Sequence, residues 1–385
     1  MASRMQAVQT PIIPVVADLI RQHPGTISLG QGVVYYGPPE AAIAQIGGFM
    51  QQPANHRYQA VQGIEPLRQA IAAKLEAENG LVLGADRQIV VTAGSNMGFL
   101  NAILAITSPG DEIILQRPYY FNHEMAIAIA GCRAVLVDTD ENYQLQLAAI
   151  ARAITDRTRA VVTISPNNPT GVIYPEAALR QVNRLCGERG IYHISDEAYE
   201  YFLYDGAVHF SPAAIADSAP HTISLYSLSK AYGFASWRIG YMVIPADLME
   251  SVMKIQDTNV ICPPVVSQYA ALGALQAGVS YCKEKLGAIA EVRQQMLQEL
   301  RSLGDLCTIP PAQGAFYFLL KIHKNVVPMT LVEQLIREHG VAVIPGSTFG
   351  LETDCYLRVA YGALEKDTAF AGIERLVQGL KHSLT

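Results

Sequence analysis

Lys230 and Arg238 stand eight residues apart in SLSKAYGFASWRIG, among hydroxyls, glycines, small side chains and rings. An amine on that background can attack a carbonyl carbon to form a Schiff base, and a guanidinium can grip an anionic oxygen pair. Other stretches carry groups able to join them. Asp196 and Tyr199 offer a carboxylate and a phenol three residues apart in SDEAY. Asn168 lies in PNNPTG, which is turn chemistry by composition. Gly94-Ser95-Asn96 follows an apolar run and suits a phosphate at a helix start, though a plain helix cap fits it too. Tyr120 belongs to RPYYFNH, readable as a site wall or as an ordinary aromatic loop. His123 fits either a helix start or the lining of a site, whereas His193, inside the apolar IYHIS, reads as a satisfied core histidine.

These groups need elements to bring them together. From residue 88 apolar runs alternate with helical patterns. QIVVT (88–92), EIILQ (112–116), AVLVD (134–138), AVVTIS (160–165), IYHIS (191–195), TISLYS (222–227) and IGYMVI (239–244) read as strands. Helices are expected at 63–80, 96–106, 122–130, 144–154 and 175–188. The fold class is α/β, with βαβ crossovers and a mostly parallel sheet carrying helices on both faces. GAFYFLLKI, VAVIPG and CYLRVAYG supply strands for a smaller α/β unit. The expected division is a large unit over 45–265 and a small one built from 1–44 and 266–385.

In an open α/β sheet ligands bind beyond the carboxyl ends of the strands. Gly94-Ser95-Asn96, Tyr120, Asn168, Asp196, Tyr199, Lys230 and Arg238 each follow a strand, so one edge collects them. The set suits pyridoxal 5′-phosphate (PLP). Lys230 is the amine for its aldehyde, and Asp196 the carboxylate that keeps its pyridine nitrogen protonated. Tyr199 and Asn168 are donors to its phenolic oxygen, Arg238 with hydroxyls and backbone amides grips its phosphate, and Tyr120 is a plate for its ring.

The sequence resembles the fold-type-I PLP enzymes of the class I/II aminotransferases. NNPTG is similar to the family's Asn-Pro-x-Gly loop, SDEAYEYF to its Asp-Glu-x-Tyr element, and SLSKAYGFASWRIGY to its lysine motif with an arginine eight residues on. YLRVAYGAL resembles the late arginine motif, and RYQAVQGIEPLRQAIA the early Tyr…Gly…Leu-Arg motif. The resemblance implies that Lys230 carries PLP and shuttles the proton, with Asp196 on the pyridinium and Tyr199 and Asn168 on the 3-oxygen. It implies Ser227, Arg238, Ser95 and Asn96 on the phosphate above the Gly94 turn, and Tyr120 on the ring. Arg358 would bind the substrate α-carboxylate, helped by Gly32 and Asn168. Tyr58 would reach the phosphate of a neighbouring subunit, which implies a homodimer with shared sites. The reaction implied moves an amino group between an amino acid and a 2-oxo acid. The same scaffold serves aspartate aminotransferases, C–S lyases, cyclopropane-forming synthases and PLP-binding regulators.

One segment departs from the family pattern. Where relatives read Gly-x-Pro-Asp, this chain reads LGQGVVYYGPPE, and Val33-Val34-Tyr35-Tyr36 makes that wall more apolar and aromatic. In relatives that favour dicarboxylic substrates a second arginine lies seven residues before the second proline of a Pro-Pro pair. Counting back from Pro264 gives Asp257, and no arginine lies between Arg238 and Arg293. Aromatic amino acids or methionine are the expected substrates, as in similar plant and cyanobacterial aminotransferases.

The bulk numbers fit. Half of the 385 residues are apolar, which suits strands buried on both faces. A net charge of −6 argues against nucleic acid or an anionic membrane as partner. The six cysteines form no C-x-x-C and no zinc-spaced cluster, so reduced thiols, a cytoplasmic location and no metal are expected. The uncharged stretches 88–110 and 258–282 are broken by prolines, glycine or amides, and read as buried elements rather than membrane spans.

Overall fold

The computed structural model describes residues 3–384. Its largest sheet has seven strands: β1 (Arg87–Thr92), β2 (Glu112–Arg117), β3 (Arg133–Asp138), β4 (Thr158–Ile164), β5 (Tyr192–Asp196), β6 (Thr222–Ser227) and β7 (Gly240–Pro245). They lie in the order β1-β7-β6-β5-β4-β2-β3. Every neighbouring pair is parallel except those made by β7, which runs antiparallel to both β1 and β6. The inner strands are apolar on both faces because helices cover both. One face packs Leu67, Ile71 and Leu75 with Val91, Tyr226 and Tyr241. The other packs Phe99 and Ile103 with Val90, Ile113, Val162 and Leu225.

Helices end where the sequence provides for it. The helix Glu65–Asn79 stops at Gly80, which takes the left-handed conformation (φ 65°) that a side chain would disfavour. The helix Glu176–Arg189 ends in the same way at Gly190 (φ 64°).

A second, four-stranded sheet holds β8 (Cys307–Thr308), β9 (Tyr317–Ile322), β10 (Ile344–Pro345) and β11 (Cys355–Ala360), in the order β10-β11-β9-β8. Its neighbours are antiparallel, with Leu319 opposite Arg358. Ile27–Ser28 pairs in parallel with Val341–Ala342, so the N-terminal segment joins the C-terminal third.

The uncharged run after residue 258 is helical on either side of a break at 261–264, where Pro263 and Pro264 stand. The helix Val265–Arg301 starts in the core of the large sheet, with Ala270, Ala271 and Ala274, and ends in the core of the small one, with Ile289, Val292 and Met296. Gly278 (φ 68°, ψ −167°) breaks it between the two. Packing on the large sheet therefore continues beyond residue 265. No helix among the described residues is long and apolar enough to cross a membrane. All six cysteines are free, and no group of His, Cys, Asp or Glu side chains among the described residues could hold a metal.

Candidate active site

The strand ends deliver their side chains to one cavity. Ser95, Asn96, Tyr120, Asn168, Asp196, Tyr199, Ser227, Lys230 and Arg238 line it, together with Ile164, Ala198 and Ser229. Asp196 closes β5, and Ser227 closes β6 and caps the short helix Leu228–Ala231 that carries Lys230. The cap is a hydrogen bond from the Ser229 amide to Ser227 Oγ, 3.2 Å long.

Gly94 occupies the cap position of the helix Ser95–Ile106 at φ 82°, and no side chain caps that helix. Gly-Ser-Asn thus starts the helix, as the plain-cap reading has it, but through the glycine backbone and not through a side chain. The glycine has a steric reason as well: a Cβ on Gly94 would lie 2.2 Å from Arg238 Nη2. Arg238 itself holds a left-handed backbone (φ 56°), unusual for a residue with a side chain, and donates from Nη1 to the Ala235 carbonyl over 2.8 Å. Tyr120 is fixed by its hydroxyl, which accepts from Asn122 Nδ2 at 2.8 Å and reaches Asn96 Oδ1 at 3.5 Å.

Asp196 is buried and uses both oxygens. Oδ1 accepts from the Ala198 amide at 3.1 Å, and Oδ2 lies 3.1 Å from His123 Nε2. His123 thereby belongs to the site as well as to the helix Phe121–Ile129. His193 is the core histidine expected. It bonds Thr163 Oγ1 and Asn183, and burial lowers its pKa to about 3, which keeps it neutral.

Behind the cavity wall Arg358, buried on β11, donates from Nη1 to Asn168 Oδ1 (2.9 Å) and from Nη2 to the Gly30 carbonyl (2.7 Å). Asn168 Nδ2 faces the Tyr199 hydroxyl at 3.4 Å, and that hydroxyl lies 2.8 Å from the hydroxyl of Tyr317. Burial pushes the Tyr199 phenol well above its usual pKa, so it stays protonated. Lys230 Nζ donates to the Gly32 carbonyl. Its pKa falls to about 8, first because it is desolvated, then because Arg358 and Arg238 repel its charge, while Asp196 opposes the shift. A lysine so placed has a usable neutral fraction near physiological pH.

Tyr58 stands apart. It is 78% exposed and does not line this cavity. Asp257 is exposed near the end of the helix Met249–Val260. Two contributors beyond the expected set are Tyr36, whose hydroxyl donates to the carbonyl of Lys230 (3.1 Å), and Tyr317. Tyr36 belongs to the segment that departs from the family pattern. Tyr317 sits in an apolar strand run, GAFYFLLKI, that reads as core.

Comparison with known proteins gives the same direction. The sequence pattern of "Aminotransferase class I and II" matches residues 24–376. The chain is 30% identical to an aromatic aminotransferase of Arabidopsis thaliana, over 100% of this chain and 97% of the relative. It is 32% identical to the aspartate/prephenate aminotransferase of Thermus thermophilus, over 94% and 93% of the two chains. The solved aromatic aminotransferase of Pyrococcus horikoshii superposes with a TM-score of 0.88 at 29% identity, covering 96% of this chain and 99% of that one. The chain belongs to the class I and II aminotransferases and is a PLP-dependent enzyme that exchanges an amino group between amino and 2-oxo acids.

Proposed function

We propose that PLP occupies the cavity with Lys230 as its point of attachment, and that the amino donor carries an uncharged aromatic or thioether side chain. The observation that carries the reading is the placement of a single lysine, with its pKa near 8, in one cavity with Asp196, Tyr199 and Arg238. The residues fit the group. Gly94 leaves room for the Arg238 guanidinium, and Arg358 keeps a buried Nε–H with no partner, a donor left for a carboxylate.

Bound there, PLP supplies an aldehyde and a conjugated ring that accepts an electron pair from the substrate α-carbon. Asp196, steadied by His123 and the Ala198 amide, keeps a proton on the ring nitrogen. Tyr199 and Asn168 donate to the ring's oxygen. Ser95, Asn96, Ser227 and Arg238 hold the phosphate, and Tyr120 plates the ring. Arg358, with Asn168 and the Gly32 segment beside it, grips the α-carboxylate and so fixes which α-bond meets the ring. Lys230 Nζ would be the group that moves the substrate's α-proton, and its lowered pKa matches that task.

For substrate, the cations at this place are Lys230, Arg238 and Arg358, each already assigned. Asp257 stands where a second arginine would serve a distal carboxylate. The neutral segment Val33-Val34-Tyr35-Tyr36, tied to the site by the Tyr36 hydroxyl on the Lys230 carbonyl, suits an apolar side chain. Tyr58, exposed on the protomer, suits a contribution to the phosphate site of a second copy, and makes the enzyme a homodimer. Reduction of the coloured holoenzyme with borohydride, followed by peptide mapping, tests the attachment. The label should lie on Lys230, and a label on any other lysine would overturn the assignment.

A further inference from the structure

Tyr317 joins the two halves of the site, although it lies outside the cavity lining. Its side chain leaves β9 on the face shared with Arg358 of β11, because Leu319 is paired with Arg358 and Tyr317 is two residues from Leu319. Three contacts follow from that position. The Arg358 guanidinium lies over the Tyr317 ring, 4.6 Å from its centroid. The Tyr317 hydroxyl lies 2.8 Å from the Tyr199 hydroxyl. The same hydroxyl abuts Gly32, where a Cβ would come within 2.6 Å of it.

The direction of the hydrogen bonds can be worked out from one end. Arg358 has only donors, so the Asn168 atom it meets must be the carbonyl oxygen, and the Asn168 amide nitrogen is turned to Tyr199. The Tyr199 oxygen therefore accepts from Asn168. Tyr199 has one hydrogen, and the cavity it lines needs a donor for the cofactor's ring oxygen. With that hydrogen directed into the cavity, the bond between the two phenols must run from Tyr317 to Tyr199. Burial raises the Tyr317 phenol to about 12, so it carries its hydrogen throughout the working pH range.

We infer that Tyr317 is a positioning residue for the known reaction: its hydroxyl donates to Tyr199 and strengthens the Tyr199 hydrogen bond to the cofactor, while its ring is the platform that orients Arg358. The inference rests on the proposed placement of PLP beside Tyr199. A phenol that accepts one more hydrogen bond is a better donor, and donors in series reinforce one another in a low-dielectric site. A stronger donor to the ring oxygen favours its anionic form, and so lowers the pH at which the lysine-bound cofactor loses its imine proton.

The test uses holoenzyme and the pH titration of its visible absorbance, with Tyr317→Phe, Tyr317→Leu, Tyr199→Phe and the double variant Tyr199→Phe/Tyr317→Phe. Tyr317→Phe keeps the ring and removes only the hydroxyl. Its absorbance midpoint should rise by roughly 0.2–0.4 pH unit, about a twofold change in proton affinity. Its KM for the amino donor should stay close to wild type. Tyr317→Leu also removes the platform, and its KM should rise about tenfold, the loss of a desolvated cation–π contact. Tyr199→Phe should give a larger rise in midpoint, and adding Tyr317→Phe to it should add nothing, since Tyr317 acts through Tyr199. A Tyr317→Phe midpoint that coincides with wild type while Tyr199→Phe shifts would overturn the role of Tyr317 and leave the PLP placement standing. Coincident midpoints in both variants would overturn the placement of Tyr199, and this inference with it. A full additional shift in the double variant would also sink the inference, because Tyr317 would then act by another route.

Discussion

His123 stacks on Phe99, ring centroids 3.9 Å apart, and this sets its Nε2 3.1 Å from the inner carboxylate oxygen of Asp196. One ring thus ties the apolar core beneath the sheet to the acid at the end of β5. Its Nδ1 is buried with no partner, so the contact to Asp196 is its polar anchor in the protein.

That contact makes the first prediction. Asp196→Ala should keep the protein folded and lower kcat by orders of magnitude, because the ring nitrogen loses the charge that keeps it protonated. His123→Phe retains the stacking on Phe99 and frees only the carboxylate, so kcat should fall by about tenfold, the worth of one hydrogen bond to a charged group. Single-turnover rates alongside circular dichroism measure both. Near-normal turnover in Asp196→Ala would reduce that residue to a structural acceptor for the Ala198 amide.

The lysine titration gives the second. The Lys230 pKa is depressed to about 8 by burial and by Arg358 and Arg238. The neutral amine is the form that attacks, so capture of PLP by cofactor-free protein should speed up about tenfold per pH unit below 8 and level off above it. Arg358→Gln removes a neighbouring positive charge and should move the midpoint to higher pH. Borohydride trapping at a series of pH values provides the rates. A rate in wild type still climbing steeply near pH 10 would contradict the depressed pKa.

Assembly gives the third. Mixed Tyr58→Phe and Lys230→Ala protomers should form hybrids with one intact site each, if Tyr58 serves the neighbouring subunit. Activity should appear on subunit exchange, approaching a quarter of the wild-type value, since about half the dimers are hybrids. No gain over the sum of the parents would rule out a shared site.

Substrate choice gives the fourth. With Asp257 at the position read for a second arginine, a distal carboxylate is expected to lack a bidentate partner, a deficit on the order of 1.5–3 kcal/mol, or about tenfold to over a hundredfold. kcat/KM should therefore be higher for phenylalanine, tyrosine, tryptophan or methionine than for aspartate. Steady-state rates with each amino acid decide it. A tenfold preference for aspartate would refute the apolar side-chain pocket.

The inner strands of the large sheet were legible because both their faces are buried, so each reads as an apolar run between turns; the edge strand β3 reads as one too, although Arg133, Leu136 and Asp138 are exposed. Lys230, Asp196 and Asn168 were legible because polar residues directly after such runs stand out, and topology collects them at one edge. Tyr317 was hidden for the converse reason. It lies within an apolar strand, where a tyrosine reads as core, and only the pairing of Leu319 with Arg358 turns its hydroxyl to Tyr199. His123 was half visible. Three residues after Tyr120 places it one helical turn along the same face, but nothing local in the sequence links it to residue 196. The course of the helix Val265–Arg301 from one core into the other was equally hidden, because its apolar residues do not say which sheet they meet.

That helix has a mechanical consequence. Beyond Gly278 the residues 279–301 form an arm about 35 Å long, packed from Leu286 to Leu300 against the core of the sheet that carries Arg358 and Tyr317. Leverage scales with arm length, so a turn of about 5° at that single glycine would sweep the tip through about 3 Å, the width of a hydrogen bond. Gly278 is the one non-helical residue in that run, so it is where such a turn would be taken up, eighty residues before Arg358 in the chain.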